Sequence, residues 1–187
     1  MALKNPPVCD FGRALPPFEL AEPDGTRHAM ADHLGGKGLL VAFICNHCPY
    51  VRGIADRLAA DTKALMDDGI GVLAVMSNDW RAYPDDAPER MDAFKRASGF
   101  RFPYLVDADQ SVAREWGAAC TPDFFGLNAR GELQYRGRLD DWGIHSKADA
   151  SDGERRTELL DAMRMIAATG EGPREQVPSM GCSIKWR

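Results

Sequence analysis

The run Leu39-Leu40-Val41-Ala42-Phe43-Ile44 leads straight into Cys45-Asn46-His47-Cys48-Pro49-Tyr50, and this junction restricts the fold more than any other stretch. A short, continuous apolar run preceded by a glycine-rich turn is the pattern of a strand whose sheet is covered on both faces. Beyond the cysteines, Val51, Ile54, Ala55, Leu58, Leu65 and Met66 recur at helical spacing until Asp67-Asp68-Gly69. The order is strand, two thiols, helix, with Cys45 and Cys48 one turn apart at the helix N-terminus. Unpaired N–H groups and the positive end of the helix dipole favour a thiolate there. The chemistry this predicts is electron exchange through a dithiol and a disulfide.

The rest of the chain supplies a sheet for that strand. Phe18-Glu19-Leu20 and Arg27 to Met30 flank Asp24-Gly25, a hairpin signal. Ile70 to Met76 is a second buried strand, and Ser77 to Pro88 a polar loop carrying Trp80 and Tyr83. A helix over Glu89 to Ser98 turns Met91 and Phe94 inward; Phe102 to Val106 is a strand and Gln110 to Trp116 a short helix. Phe124 to Leu127 and Leu133 to Arg138 read as a second hairpin. Leu159, Leu160, Met163 and Ile166 mark a last amphipathic helix, with Gly170 past its end. Gly35-Gly36-Lys37-Gly38 fails the phosphate-loop pattern and reads as a turn. The expected class is α/β: a central mixed sheet with helices on both faces and an N-terminal hairpin extension. A single domain over 1–187 is expected, with a core over about 16–170 and an extended tail over 171–187.

Charge excludes some functions. The formal net charge is −5 and no basic patch interleaved with aromatics occurs, which argues against nucleic acid or anionic membrane as partners. The N-terminal residues lack the apolar core of a secretion signal, so a cytoplasmic location is expected. Five cysteines, an odd number, do not suggest a secreted disulfide framework. A structural zinc would want a second close Cys or His pair, and the isolated His28, His33 and His145 do not provide one. The expectation is therefore no metal and no organic cofactor. Asp140, Asp141 and Glu154-Arg155-Arg156 read as solvated faces.

This element order, with C-x-x-C closing the first central strand, resembles the thioredoxin fold. Gly117-Ala118-Ala119-Cys120-Thr121-Pro122-Asp123-Phe124-Phe125 resembles its Thr-Pro loop, in which the proline is cis and faces the dithiol. Pro16-Pro17-Phe18-Glu19-Leu20, Cys48-Pro49 and the tail Gly181-Cys182-Ser183-Ile184-Lys185-Trp186 resemble the peroxiredoxin-like AhpC/TSA, or redoxin, branch. The departures are informative. A peroxiredoxin keeps Thr or Ser three residues before its attacking cysteine; counted back from Cys48, that slot is Cys45. The expected peroxiredoxin arginine falls near Pro122, and the buried thioredoxin aspartate corresponds to Leu39.

The resemblance implies a thiol–disulfide oxidoreductase acting on a protein disulfide, with Cys45 and Cys48 catalytic and His47, Thr121 and Pro122 supporting. In the thioredoxin-like order Cys45 attacks and Cys48 resolves; the peroxiredoxin alignment makes Cys48 the attacker, and the sequence leaves both open. The alternatives are a peroxidase using Cys48 on hydroperoxides, and a metal-binding or redox-regulated interaction protein. As imidazolium, His47 would stabilise a thiolate and make the disulfide more oxidising than thioredoxin's. Cys120 and Cys182 are possible auxiliary thiols, joined by a relay or simply buried, with Trp186 anchoring the tail; Cys9 is incidental. Asp79, Trp80, Tyr83 and Trp116 are candidate groove residues, and Arg136 or Arg138 a candidate positive charge.

Overall fold

The computed structural model describes residues 3–144 and 154–187; His145 lies outside them. Three elements lead to the central strand: β1 (Leu3–Lys4), the hairpin β2 (Glu19–Ala21) and β3 (Arg27–Ala29), and the single turn α1 (Met30–His33). The centre is β4 (Leu39–Phe43), α2 (Pro49–Arg52), α3 (Ala55–Asp67) and β5 (Gly71–Met76). Next come α4 (Pro88–Ser98), β6 (Tyr104–Val106) and α5 (Ser111–Trp116). The chain continues through β7 (Cys120–Thr121), β8 (Asp123–Leu127), β9 (Leu133–Tyr135), α6 (Glu158–Thr169) and β10 (Gly181–Ser183).

The main sheet runs β3-β2-β6-β5-β4-β8-β9. β4 pairs parallel with β5 and antiparallel with β8, so the sheet is mixed, as expected, and the N-terminal hairpin joins it through Ala21 opposite Val106. The alternation of β4 sorts two apolar layers. Leu40, Ala42 and Ile44 face a layer holding Leu58 and Leu65 of α3, Met91 of α4 and Leu159, Met163 and Ile166 of α6. Leu39, Val41 and Phe43 face Val112, Ala113 and Trp116 of α5 and Met30 of α1. Both faces of the strand are covered, which is why its sequence is apolar throughout. This is the thioredoxin-like α/β architecture.

Several expectations are corrected. The helix after the cysteines is two helices, interrupted at Gly53-Ile54. Gly53 packs so close to the Ile144 carbonyl that a Cβ there would stand 3.0 Å from its oxygen. The strand of the second hairpin ends at Tyr135, short of Arg138. The tail is not simply extended: β10 pairs antiparallel with β1 on one edge and with β7 on the other, forming a second, three-stranded sheet.

Two groups read as solvated are not. Asp140 is buried and bound by Arg57 Nε at 2.7 Å and Arg155 Nη1 at 3.3 Å, while Arg155 also pairs with buried Asp61. His28 is not isolated, because its ring bridges His33 at 3.1 Å and Glu22 at 3.3 Å. Long side chains can bury a charge if every partner is supplied, and a linear pattern does not reveal partners from distant segments.

Candidate active site

β4 delivers the chain into Cys45-Asn46-His47-Cys48 at its C-terminal end, and Cys48 is the N-cap residue of α2, with Pro49 in its first position. Proline suits that position because its missing N–H would have no helical partner. The loop is fastened by Asp86, a fully buried residue in the loop between β5 and α4. Its Oδ1 accepts the backbone N–H of Asn46 at 2.8 Å and of His47 at 3.1 Å. Its Oδ2 meets His47 Nδ1 at 2.6 Å and accepts Asn78 Nδ2 at 2.8 Å. Asn46 in turn donates to the Asp85 carbonyl and accepts the Tyr104 hydroxyl, each at 3.1 Å.

Thr121 faces this loop across a cis bond to Pro122. Its Oγ1 lies 3.4 Å from Cys45 Sγ, and its carbonyl accepts the Cys48 thiol at 3.1 Å. One residue therefore touches both sulfurs. None of the five cysteines is in a disulfide, and Cys45 and Cys48 are both fully buried.

The two sulfurs are electrostatically unequal. The Cys48 thiol is pulled well down from the usual thiol range, to about 5. The largest cause is the hydrogen bond from Cys45; burial opposes it, and the Thr121 side chain and the backbone N–H groups of Val51 and Cys182 reinforce it. The Cys45 thiol is pushed well up, first by donating to Cys48, then by burial and by the charge of Asp86. Of the two sulfurs, Cys48 gives up its proton first and Cys45 holds its own.

His47 sits between them in sequence, but its ring serves the loop. Nδ1 is 3.9 Å from Cys45 Sγ and engaged with Asp86, and the ring stacks on Tyr83 at 6.0 Å between centroids. The Asp86 carboxylate offsets positive charge on the ring, which weakens the expected pull of His47 on a thiolate. Cys45, His47 and Asp86 offer ligand atoms within 4.8 Å of one another, a donor set that zinc-like ions accept. The Asp86 oxygens, however, are already taken up by N–H donors.

Of the auxiliary thiols, Cys120 donates to the Pro122 carbonyl at 3.4 Å and is pushed up to about 12, mainly by burial. Cys182, on β10, lies in the same apolar layer as Cys45 and Cys48. Cys9 packs half-buried against the opposite layer, and burial raises it to about 11. Trp116 is core, edge-on to Phe18, Phe43 and Phe125, and lines no groove. Tyr83 borders the site through its stack on His47, while Trp80 and Asp79 meet the tail: Arg187 lies over Trp80, and the Asp79 N–H donates to the Lys185 carbonyl. Trp186 anchors the tail under Arg114, 4.5 Å from the ring centre. Both candidate arginines are engaged elsewhere: Arg136 with buried Asp123 at 2.9 Å, Arg138 with Glu158 at 2.7 Å. Arg138 also borders a cavity of about 430 Å³ beside Pro122 and Tyr50.

Asp86 and Asn46 escaped the sequence reading, since Asp85-Asp86 in a polar loop looks solvated. Among the described residues no helix is long and apolar enough to cross a membrane.

Comparison with known proteins agrees with this fold. A Mycobacterium tuberculosis protein that carries a peroxiredoxin name is 25% identical over 132 residues, 71% of this chain and 79% of its own length. The crystal structure of an uncharacterised conserved protein from Geobacillus kaustophilus superposes with a TM-score of 0.89 at 34% identity, covering 100% of this chain and 97% of that one. A peroxidoxin from Mycobacterium tuberculosis shares the fold, with a TM-score of 0.61 at 17% identity over 85% of this chain and 99% of that one. Residues 11–136 match the AhpC/TSA family, and the chain belongs to it.

Proposed function

We propose that this redoxin is a thiol–disulfide oxidoreductase in which Cys48 attacks and Cys45 resolves. The observation that carries the reading is the asymmetry of the two sulfurs. Cys48 receives hydrogen bonds from the Cys45 thiol and the N–H groups of Val51 and Cys182, which outweigh the Thr121 carbonyl beside it, whereas Cys45 stands beside the Asp86 carboxylate. A thiolate near ambient pH both exists and remains nucleophilic. This reverses the thioredoxin-like order and agrees with the peroxiredoxin alignment.

The Cys48 thiolate attacks one sulfur of a substrate disulfide; a mixed disulfide forms and the other substrate sulfur leaves as thiolate. With Cys48 now uncharged, the hydrogen bond that held the proton on Cys45 is gone. Cys45 releases that proton, and the departing substrate thiolate takes it up. Cys45 then attacks Cys48 Sγ, forming the Cys45–Cys48 disulfide and freeing the second substrate sulfur. The substrate is reduced by two electrons, and an external thiol must restore the dithiol.

A second reading, hydroperoxide reduction at Cys48, is supported by family membership and by the low-lying thiol, although the arginines near the loop are paired with carboxylates. Insulin-type disulfide reduction and hydroperoxide reduction, measured side by side, separate the two. Dithiol exchange predicts that Cys48→Ser abolishes disulfide turnover and that Cys45→Ser slows it sharply, with a mixed disulfide on Cys48 that lasts longer than in wild type. Thiol-dependent peroxide consumption that survives in Cys45→Ser, without disulfide turnover in the wild type, would instead identify a peroxidase.

A further inference from the structure

The tail strand β10 lies across the site. It pairs with β7 so that Cys182 is opposite Thr121 and Ser183 opposite Cys120. Residues directly opposite in an antiparallel pair point to the same face, and successive residues to opposite faces. Thr121 sends its hydroxyl to Cys45, so Cys182 shares the dithiol face and Cys120 lies on the other. The strand is close-fitted: a Cβ on Gly181 would overlap the Thr121 carbonyl oxygen. It is also firmly tied. Lys185 N–H donates to Asn78 Oδ1 at 2.9 Å, its carbonyl accepts Gln110 Nε2 at 2.8 Å, and β1 covers the outer edge. The β7 edge that β10 occupies is already paired, so an incoming peptide cannot add a strand there.

Resting on the dithiol reading above, we propose that Cys182 is the internal exchange partner of Cys48, so that the site works as three thiols, Cys45, Cys48 and Cys182, rather than two. After Cys45 and Cys48 have been oxidised by a substrate disulfide, the Cys182 thiolate attacks Cys48 Sγ. The Cys48–Cys182 bond forms as the Cys45–Cys48 bond breaks. Cys45 departs with the electron pair and takes up one proton, matching the one Cys182 gave up; no electrons are gained or lost. The exchange is gated by oxidation. Cys182 is kept protonated first by burial, then by its hydrogen bond to Cys48 and the nearby Cys48 charge. Once Cys48 is in a disulfide, only the burial contribution persists among these, so the thiol ionises more readily when its target exists. The relay leads from the enclosed pair to the tail strand and bypasses Cys120.

Disulfide mapping tests this on the full-length protein. Wild type, Cys45→Ser and Cys120→Ser are equilibrated with oxidised glutathione, quenched with acid and alkylated, then digested without reduction. The expected result is a Cys48–Cys182 crosslink beside Cys45–Cys48 in wild type and in Cys120→Ser, enriched about tenfold in Cys45→Ser. Cys182 alkylated throughout, with Cys48 glutathionylated or crosslinked to Cys120, overturns the proposal. Should Cys45→Ser fail to fold, partly oxidised wild type gives the same answer by presence or absence of the crosslink. Disulfide turnover and a Cys45–Cys48 bond without any Cys48–Cys182 bond would reject Cys182 and leave the dithiol function standing. A Cys48–Cys182 bond without disulfide turnover would support the relay and reject that function.

Discussion

At the scale of single residues, the chemistry is concentrated in Cys48 and in the carboxylate that holds its loop. Acidification should remove one thiolate with a midpoint near 5, read by ultraviolet thiolate absorbance, which needs no access to the buried sulfur. The signal should be missing in Cys48→Ser. In Cys45→Ala, which removes the strongest hydrogen bond to Cys48, it should move to higher pH, with about tenfold less thiolate at mildly acid pH, equivalent to about 1.4 kcal/mol. Asp86→Ala leaves the Asn46 and His47 N–H groups without their acceptor. It should cost about 2–4 kcal/mol in urea unfolding and let Cys45 ionise at lower pH, because the charge pushing it up is gone. The cysteines were legible because C-x-x-C after an apolar run has few other uses. Asp86 was not, because it adjoins Asp85. The side chain of Asp85 is 69% exposed and that of Asp86 0%, and neighbouring acids differ in this way only once a distant segment supplies the donors.

Elements were legible in proportion to their length and burial. β4 and β5 are covered on both faces and read as apolar runs; α6 carries a clear helical stripe and a left-handed glycine, Gly170, at its end. β1, β7 and β10 span two or three residues each, too short for any period, and they pair segments from both ends and the middle of the chain. The second sheet therefore stayed hidden, and with it the tail's position over the sulfurs. Where α6 crosses β8, Gly126 has no room for a side chain: a Cβ would sit 2.6 Å from Met163 Sδ and 2.9 Å from Tyr135 Cβ. Gly126→Ala should lower stability by about 1–3 kcal/mol, seen as an earlier denaturant midpoint with little change in thiol titration.

Across the whole molecule, a buried ionic network joins segments that the sheet does not. Asp140 links Arg57 of α3 to Arg155, just ahead of α6, and Arg155 continues to Asp61 of α3. Removing one member strands the others' charge in a low-dielectric site, so Asp140→Ala should cost about 3–5 kcal/mol in thermal or denaturant unfolding. The exposed Lys63–Asp67 pair on the same helix should contribute at most about 1 kcal/mol. The fold class was readable from the order of runs and turns; this network was not, because its charges are spaced like surface residues and meet only after the chain has closed.

Cys45, Cys48 and Cys182 all lie within the apolar layer that also holds Leu58, Tyr104 and Met163. Electron transfer at these sulfurs is therefore a change of core structure, made among side chains packed at crystal-like density. By thermodynamic linkage, the gap in unfolding free energy between oxidised and reduced protein equals the amount by which folding shifts the reduction potential of the couple. A pair of melting curves is in that sense an electrode.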